Sequence, residues 1–135
     1  MTVYVVVGAF VDRLAELNVP VIGVNNAEKA HDSEVYENRR AEMWWLMQQW
    51  FDDAPCRIPN DAALISDVTA PQPLVHSSGR KLLESKDKMK KRGIRSPDGG
   101  DALALTFAEP IAKRVDELNA YRTGAGYKAP TSAGY

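Results

Sequence analysis

The apolar pattern changes period several times along the chain. The first run, TVYVVVGAF, is β-branched and aromatic and ends near a glycine, which predicts a buried strand over its first residues. In VDRLAELN, Val11, Leu14 and Leu17 recur at helical spacing, and Asn18 is a suitable terminator. VPVIGVN is again continuously apolar and predicts a second buried strand. Strand, helix and strand in so short a span predict a βαβ unit, two parallel strands with a right-handed crossover. Its first turn carries one Gly rather than GxGxxG, so the dinucleotide fingerprint is absent.

Residues 26–36 are polar and predict a loop. ENRRAEMWWLMQQWFDD then gives the clearest helix. Met43 or Trp44, Met47, and Trp50 or Phe51 form one apolar stripe, and that spacing assigns the tryptophans to a core rather than to a base-stacking platform. A short helix is expected to start near Asn60 or Asp61. PLVHSSGRKLLES predicts two short strands about a Ser-Ser-Gly turn. Residues 96–121 read as a last helix with Leu103, Phe107, Ile111, Val115 and Leu118 on one face and Pro110 as a kink. Residues 122–135 have little to bury and read as a flexible tail.

The start of that last helix raises a question of chemistry. In RSPDGGDALALTF, Asp98 and Asp101 lie three residues apart, on one helix face. Ser96 or Asp98 can cap the helix, with Pro97 in its first turn. Acids there also complement the helix dipole. Capping accounts for one aspartate less awkwardly than for two, since like charges on one face repel unless a cation lies between them. A metal-ligating or acid–base role is the other reading. Gly99 and Gly100 cost about 1 kcal/mol each relative to Ala in a helix. They are expected to leave space for a ligand, or for a hydrated divalent ion.

Charge sharpens the picture locally rather than globally. The chain has 135 residues, 26% of them charged, and a net charge of −1, so no overall basic field points to nucleic acid. Between Arg80 and Arg95, however, eight lysines and arginines face only Glu84 and Asp87. Either this is a solvated face or Lys86, Lys88, Lys90, Lys91, Arg92 and Arg95 contact a DNA backbone. Such cations beside carboxylates that hold Mg²⁺ or Mn²⁺, ions that prefer oxygen ligands, suit phosphodiester cleavage.

Taken in order, YENRRAEMWWLMQQWF, IPND and GRKLLESKDKMKKRGIRSPDGGDALALTFA resemble the C-terminal nuclease domain of the large terminase subunit of tailed phages. The resemblance covers about residues 3–112 and is most specific over 79–108. It implies an α/β, partial ribonuclease H-like fold, a short mixed sheet flanked by helices, over residues 1–121. It implies a two-metal site using Mg²⁺ or Mn²⁺, with Asp101 as metal ligand and catalytic residue and Asp98 as a supporting acid. It also implies endonucleolytic cleavage of double-stranded DNA during genome packaging, in the cytoplasm of a bacterial host. The family's partners are an ATPase motor domain, a small terminase and a portal.

Two features depart from that family. No Walker-type GxxxxGK[ST] occurs. The family's acidic strands would supply two further ligands, but the stretch VYVVVGAF, with Tyr4, Val5, Val6 and Val7, has no acid, and Asp12 lies further on, in the helix. The chain therefore reads as an incomplete fragment lacking the first strands, its site binding metal weakly and cleaving little. The rival reading is a non-catalytic remnant that binds DNA through residues 80–95.

The remaining candidates are plainer. His31 and His76 lack partners at ligand spacing and read as surface histidines. Glu42 reads as a helix-surface partner of Arg39. Cys56 is the single cysteine, so no intrachain disulfide can form. No window approaches a membrane span.

Overall fold

The computed structural model describes residues 3–5, 8–53 and 55–109. The expected tail, and the last helix beyond Glu109, lie outside the described residues. The element order is β1 (Val3–Val5), α1 (Gly8–Glu16), β2 (Val21–Gly23), α2 (Arg39–Asp53), α3 (Ala62–Thr69), β3 (Pro73–Val75), β4 (Lys81–Leu83), α4 (Lys86–Lys91) and α5 (Asp98–Leu105).

The βαβ unit forms as the pattern predicts, with β1 and β2 parallel and Val3 opposite Val21. Asn18 ends the helix in the left-handed region, at φ 56°. The Val19 N–H reaches the Leu14 carbonyl and the Asn18 N–H that of Ala15, which satisfies two otherwise orphaned carbonyls. The expectation of burial is only partly met. Val11 and Leu14 are half-buried, whereas Leu17 and Ile22 are exposed, and Val24, just past the strand, is the buried position. Among the described residues, α1 is the one helix packed on this strand pair.

The hairpin also forms as expected. β3 and β4 are antiparallel, Leu74 opposite Leu82, and Gly79 takes the positive φ of 86° that the turn requires. The described strands thus make two separate two-stranded pairs, one parallel and one antiparallel, rather than one mixed sheet. The α/β class holds. The loop before α2 docks on the outer edge of β4, where the Lys81 N–H donates to the Val35 carbonyl and the Glu37 N–H to that of Lys81.

Helix α5 packs on α2 and α3, and α2 also lies against β4. The core is built from Val24, Met43, Trp44, Met47, Ala104 and Ala108, with Phe51, Val68, Leu83, Leu103 and Phe107 around it. The Trp-rich stripe is therefore core. Helix α3 starts where anticipated and is capped by Asp61, whose carboxylate accepts from the N–H groups of Ala63 and Leu64. Helix α5 stops at Leu105, short of Pro110. The next N–H groups, of Thr106, Phe107 and Ala108, turn to carbonyls three residues back, the tightening expected where a helix ends.

Glu42 pairs with Arg39 at 2.6 Å as anticipated, but the pair is buried rather than on the surface. Burial pushes the Glu42 carboxyl upward. The backbone N–H groups of Asp32 and His31 and the Arg39 guanidinium outweigh it and hold the carboxyl below the usual glutamate range. Arg39 also donates to the Ala108 carbonyl, tying the start of α2 to the end of the described chain.

Candidate metal and nucleic-acid site

Neither Asp98 nor Asp101 caps α5. The N-cap position is Pro97, which has no side chain able to accept. The free N–H of Gly99 is satisfied from α3 instead, by Asp67 Oδ2 at 2.8 Å. Asp67 is buried, and its other oxygen holds Arg95 at 2.6 Å. No local pattern marks Asp67, because its partners come from a distant stretch of chain.

The two glycines serve packing rather than open space. A Cβ on Gly100 would lie 2.8 Å from Trp44 Cη2 and 3.1 Å from the Asp67 carbonyl oxygen. A Cβ on Gly99 would lie 3.0 Å from Asp67 Oδ2. The room expected for a hydrated ion is filled by an indole and a carboxylate.

Asp101, on the first turn of α5, is nearly buried, with its side chain 12% exposed. Its Oδ1 accepts from Trp44 Nε1 at 2.9 Å and from Arg40 Nε at 3.0 Å. Its Oδ2 is buried and accepts no hydrogen bond among the described residues. Lys86 Nζ stands 2.8 Å from that oxygen as an ion pair without hydrogen-bond geometry. The same ammonium lies 3.7 Å from Asp98 Oδ1, so a cation does sit between the two acids. Asp98 is exposed, and its Oδ1 accepts from Ser96 Oγ at 2.5 Å. That hydrogen bond, with the charges of Lys86 and Arg95 nearby, holds the Asp98 carboxyl below its ordinary value.

Arg40 anchors the other side. It donates to the Glu84 carbonyl at 2.9 Å and lies 5.7 Å from the Trp44 ring centroid. The basic run is a helix, α4, capped by Ser85, whose hydroxyl accepts from the Lys88 N–H, and Met89 is its buried anchor. Its cations are not equivalent. Arg92 grips Glu84 through both ends of its guanidinium, at 2.8 and 2.6 Å. Arg95 is held by Asp67 and Lys86 by Asp101. Lys88, Lys90 and Lys91 are exposed on α4.

Two carboxylates fit a hard divalent ion in kind, since Asp101 Oδ2 is a buried oxygen already facing a cation, the Lys86 ammonium, and Asp98 is open to solvent. Among the described residues no group of three or more His, Cys, Asp or Glu is placed to hold a metal, so no full two-ion shell is present among them. His31 and His76 are both exposed.

No family model matches the chain, and no curated protein does. Solved structures do. The nuclease domain of the large terminase subunit gp2 of bacterial virus Sf6 matches 78% of this chain at 20% identity, with a TM-score of 0.55. A lysine-to-alanine variant of that nuclease domain with manganese gives a TM-score of 0.57 over 77% of this chain, and one with calcium gives 0.56, both at 20% identity. The chain spans 62% of the length of each of these structures. It shares their nuclease-domain fold.

Proposed function

We propose that this chain acts as part of the nuclease domain of a phage or prophage DNA-packaging terminase, cutting double-stranded DNA with the help of Mg²⁺ or Mn²⁺. The observation that supports this most is the placement of Asp101. On this terminase nuclease fold, one nearly buried carboxylate has an oxygen fixed by two donors and the other facing only a cation. Asp101 and Asp98 are the residues that would hold a divalent ion, which would supply Lewis acidity toward the phosphodiester. Lys88, Lys90 and Lys91 bind the DNA backbone and align it along α4. Lys86 balances the two carboxylates and yields its place when a divalent ion arrives. The packaging motor, small terminase and portal are the partners that this role implies, and the host-cell cytoplasm is where it would operate.

Two protein oxygens leave a divalent ion most of its waters, so Mn²⁺ affinity should be about millimolar. Manganese titration followed by electron paramagnetic resonance measures it directly, and nicking of supercoiled DNA follows any cleavage. Asp101→Asn should abolish the binding and Asp98→Asn weaken it. Equal Mn²⁺ affinity in Asp101→Asn and the unaltered chain would overturn the assignment.

A further inference from the structure

Building on that assignment of Asp101, we propose that Trp44 is a positioning residue for the metal-binding carboxylate. Its indole N–H fixes Asp101 in the orientation that leaves Oδ2 for a cation. Trp44 Nε1 and Arg40 Nε both donate to Oδ1, at 2.9 and 3.0 Å, and no hydrogen bond reaches the buried Oδ2 among the described residues. The neutral and guanidinium hydrogen bonds thus hold the carboxylate at Oδ1, while Oδ2 meets a cation, the Lys86 ammonium at 2.8 Å.

The ring that does this cannot drift. Trp44 is 6% exposed and belongs to the core cluster with Met43, Met47 and Ala104. Its edge lies so close to Gly100 that a Cβ there would come within 2.8 Å. Gly100 immediately precedes Asp101, so the indole touches the backbone that carries the ligand as well as the ligand itself. The neighbouring Trp45 has no such role, since its buried Nε1 has no acceptor among the described residues.

Trp44 also differs from Arg40 in kind. A guanidinium orients the carboxylate and neutralises it, whereas an indole N–H orients it without adding charge. This fixes the sign of the test. Losing a neutral donor leaves the carboxylate more basic, so electrostatics alone predicts tighter cation binding. Loss of orientation predicts weaker binding, and partners that orient a metal ligand typically contribute about 10–100-fold to affinity.

Trp44→Phe keeps an aromatic ring against Gly100 and removes the N–H. Titrated with Mn²⁺ below its melting temperature, it should bind about tenfold more weakly than the unaltered chain. Unchanged or tighter binding in Trp44→Phe, while Asp101→Asn still abolishes binding, overturns the positioning role and leaves the functional reading standing. Equal binding by Asp101→Asn and the unaltered chain overturns the functional reading instead. A metal-free readout covers the case in which Trp44→Phe does not fold. Asp101→Asn should shift the Trp44 indole N–H resonance and leave those of Trp45 and Trp50 in place. A Trp44 resonance that does not move overturns the contact.

Discussion

The acids and bases of α4 and its surroundings illustrate how position decides a residue's work. Glu84 is buried on β4's flank, where the Arg92 guanidinium grips it and the Gln72 N–H donates at 3.2 Å. The hydrogen bond from Arg92 outweighs burial and holds the Glu84 carboxyl below the ordinary glutamate value of 4.5. A carboxyl depressed in the folded state adds stability above its unfolded pKa. That stability disappears as pH falls through the lower folded value. Thermal melts from neutral to acid pH should therefore show a loss setting in below pH 4.5. Glu84→Gln should start lower at neutral pH and lose less on acidification; an identical pH profile in the variant would rule the pair out as its source. Two of the arginines read from the sequence as DNA contacts thus have structural partners. Neither Glu84 nor Asp67 is near its arginine in any pattern that spacing can reveal, so the local charge excess was legible and its internal neutralisation was not.

At the scale of elements, the junction of α2, α3 and α5 is set by Gly100. A glycine in a helix normally concedes about 1 kcal/mol to alanine. Here the added Cβ would meet Trp44 Cη2 at 2.8 Å and the Asp67 carbonyl at 3.1 Å, and neither can retreat within the core. Gly100→Ala should destabilise the fold by about 1–3 kcal/mol, the usual cost of overpacking. Urea unfolding measures this, and a stabilised variant would mean that the three helices can move apart at little cost. Apolar runs, helical spacing and turn residues mark the βαβ unit, α2 and the hairpin, because each leaves a local signature in the chain. Helix α4 leaves no such mark, since Met89 is its single buried residue and a lone apolar position has no period. The end of α5 at Leu105 is equally hidden, because the apolar spacing runs on through Phe107 while the helix stops before Thr106.

For the molecule as a whole, the question is which cations meet DNA. Lys88, Lys90 and Lys91 are exposed, whereas Lys86, Arg92 and Arg95 are engaged by carboxylates. Each phosphate contact contributes roughly 0.9 to the log–log slope of binding against salt. Replacing the three exposed lysines by glutamine should lower that slope by nearly three such contacts and leave the melting temperature in place. Replacing Arg92 and Arg95 by glutamine should do the reverse. Fluorescence anisotropy with a labelled duplex, at several salt concentrations, separates the two, and an unchanged slope in the triple variant would show that DNA binds elsewhere. The fold class and the candidacy of Asp101 are legible in the amino-acid sequence. The contacts of Trp44 and Arg40 with it are not, because a core stripe and a helix-surface arginine look the same whether or not they touch a distant carboxylate.

The contact between Arg39 and the Ala108 carbonyl has a bearing on biosynthesis. A growing polypeptide presents α2 to solvent long before Ala108, Asp101 or Gly100 has been made. Until then Arg39 has Glu42 but no carbonyl, Arg40 and Trp44 have no carboxylate, and the indole has no helix to lean on. The partners of Arg40 and Trp44 at Asp101, and of Arg39 at Ala108, follow α2 by about sixty residues, so α2 is expected to stay solvated until they are made. Docking of α2 and α5 is then expected as one late event that follows emergence of residue 108, rather than as a stepwise consolidation from the N-terminus.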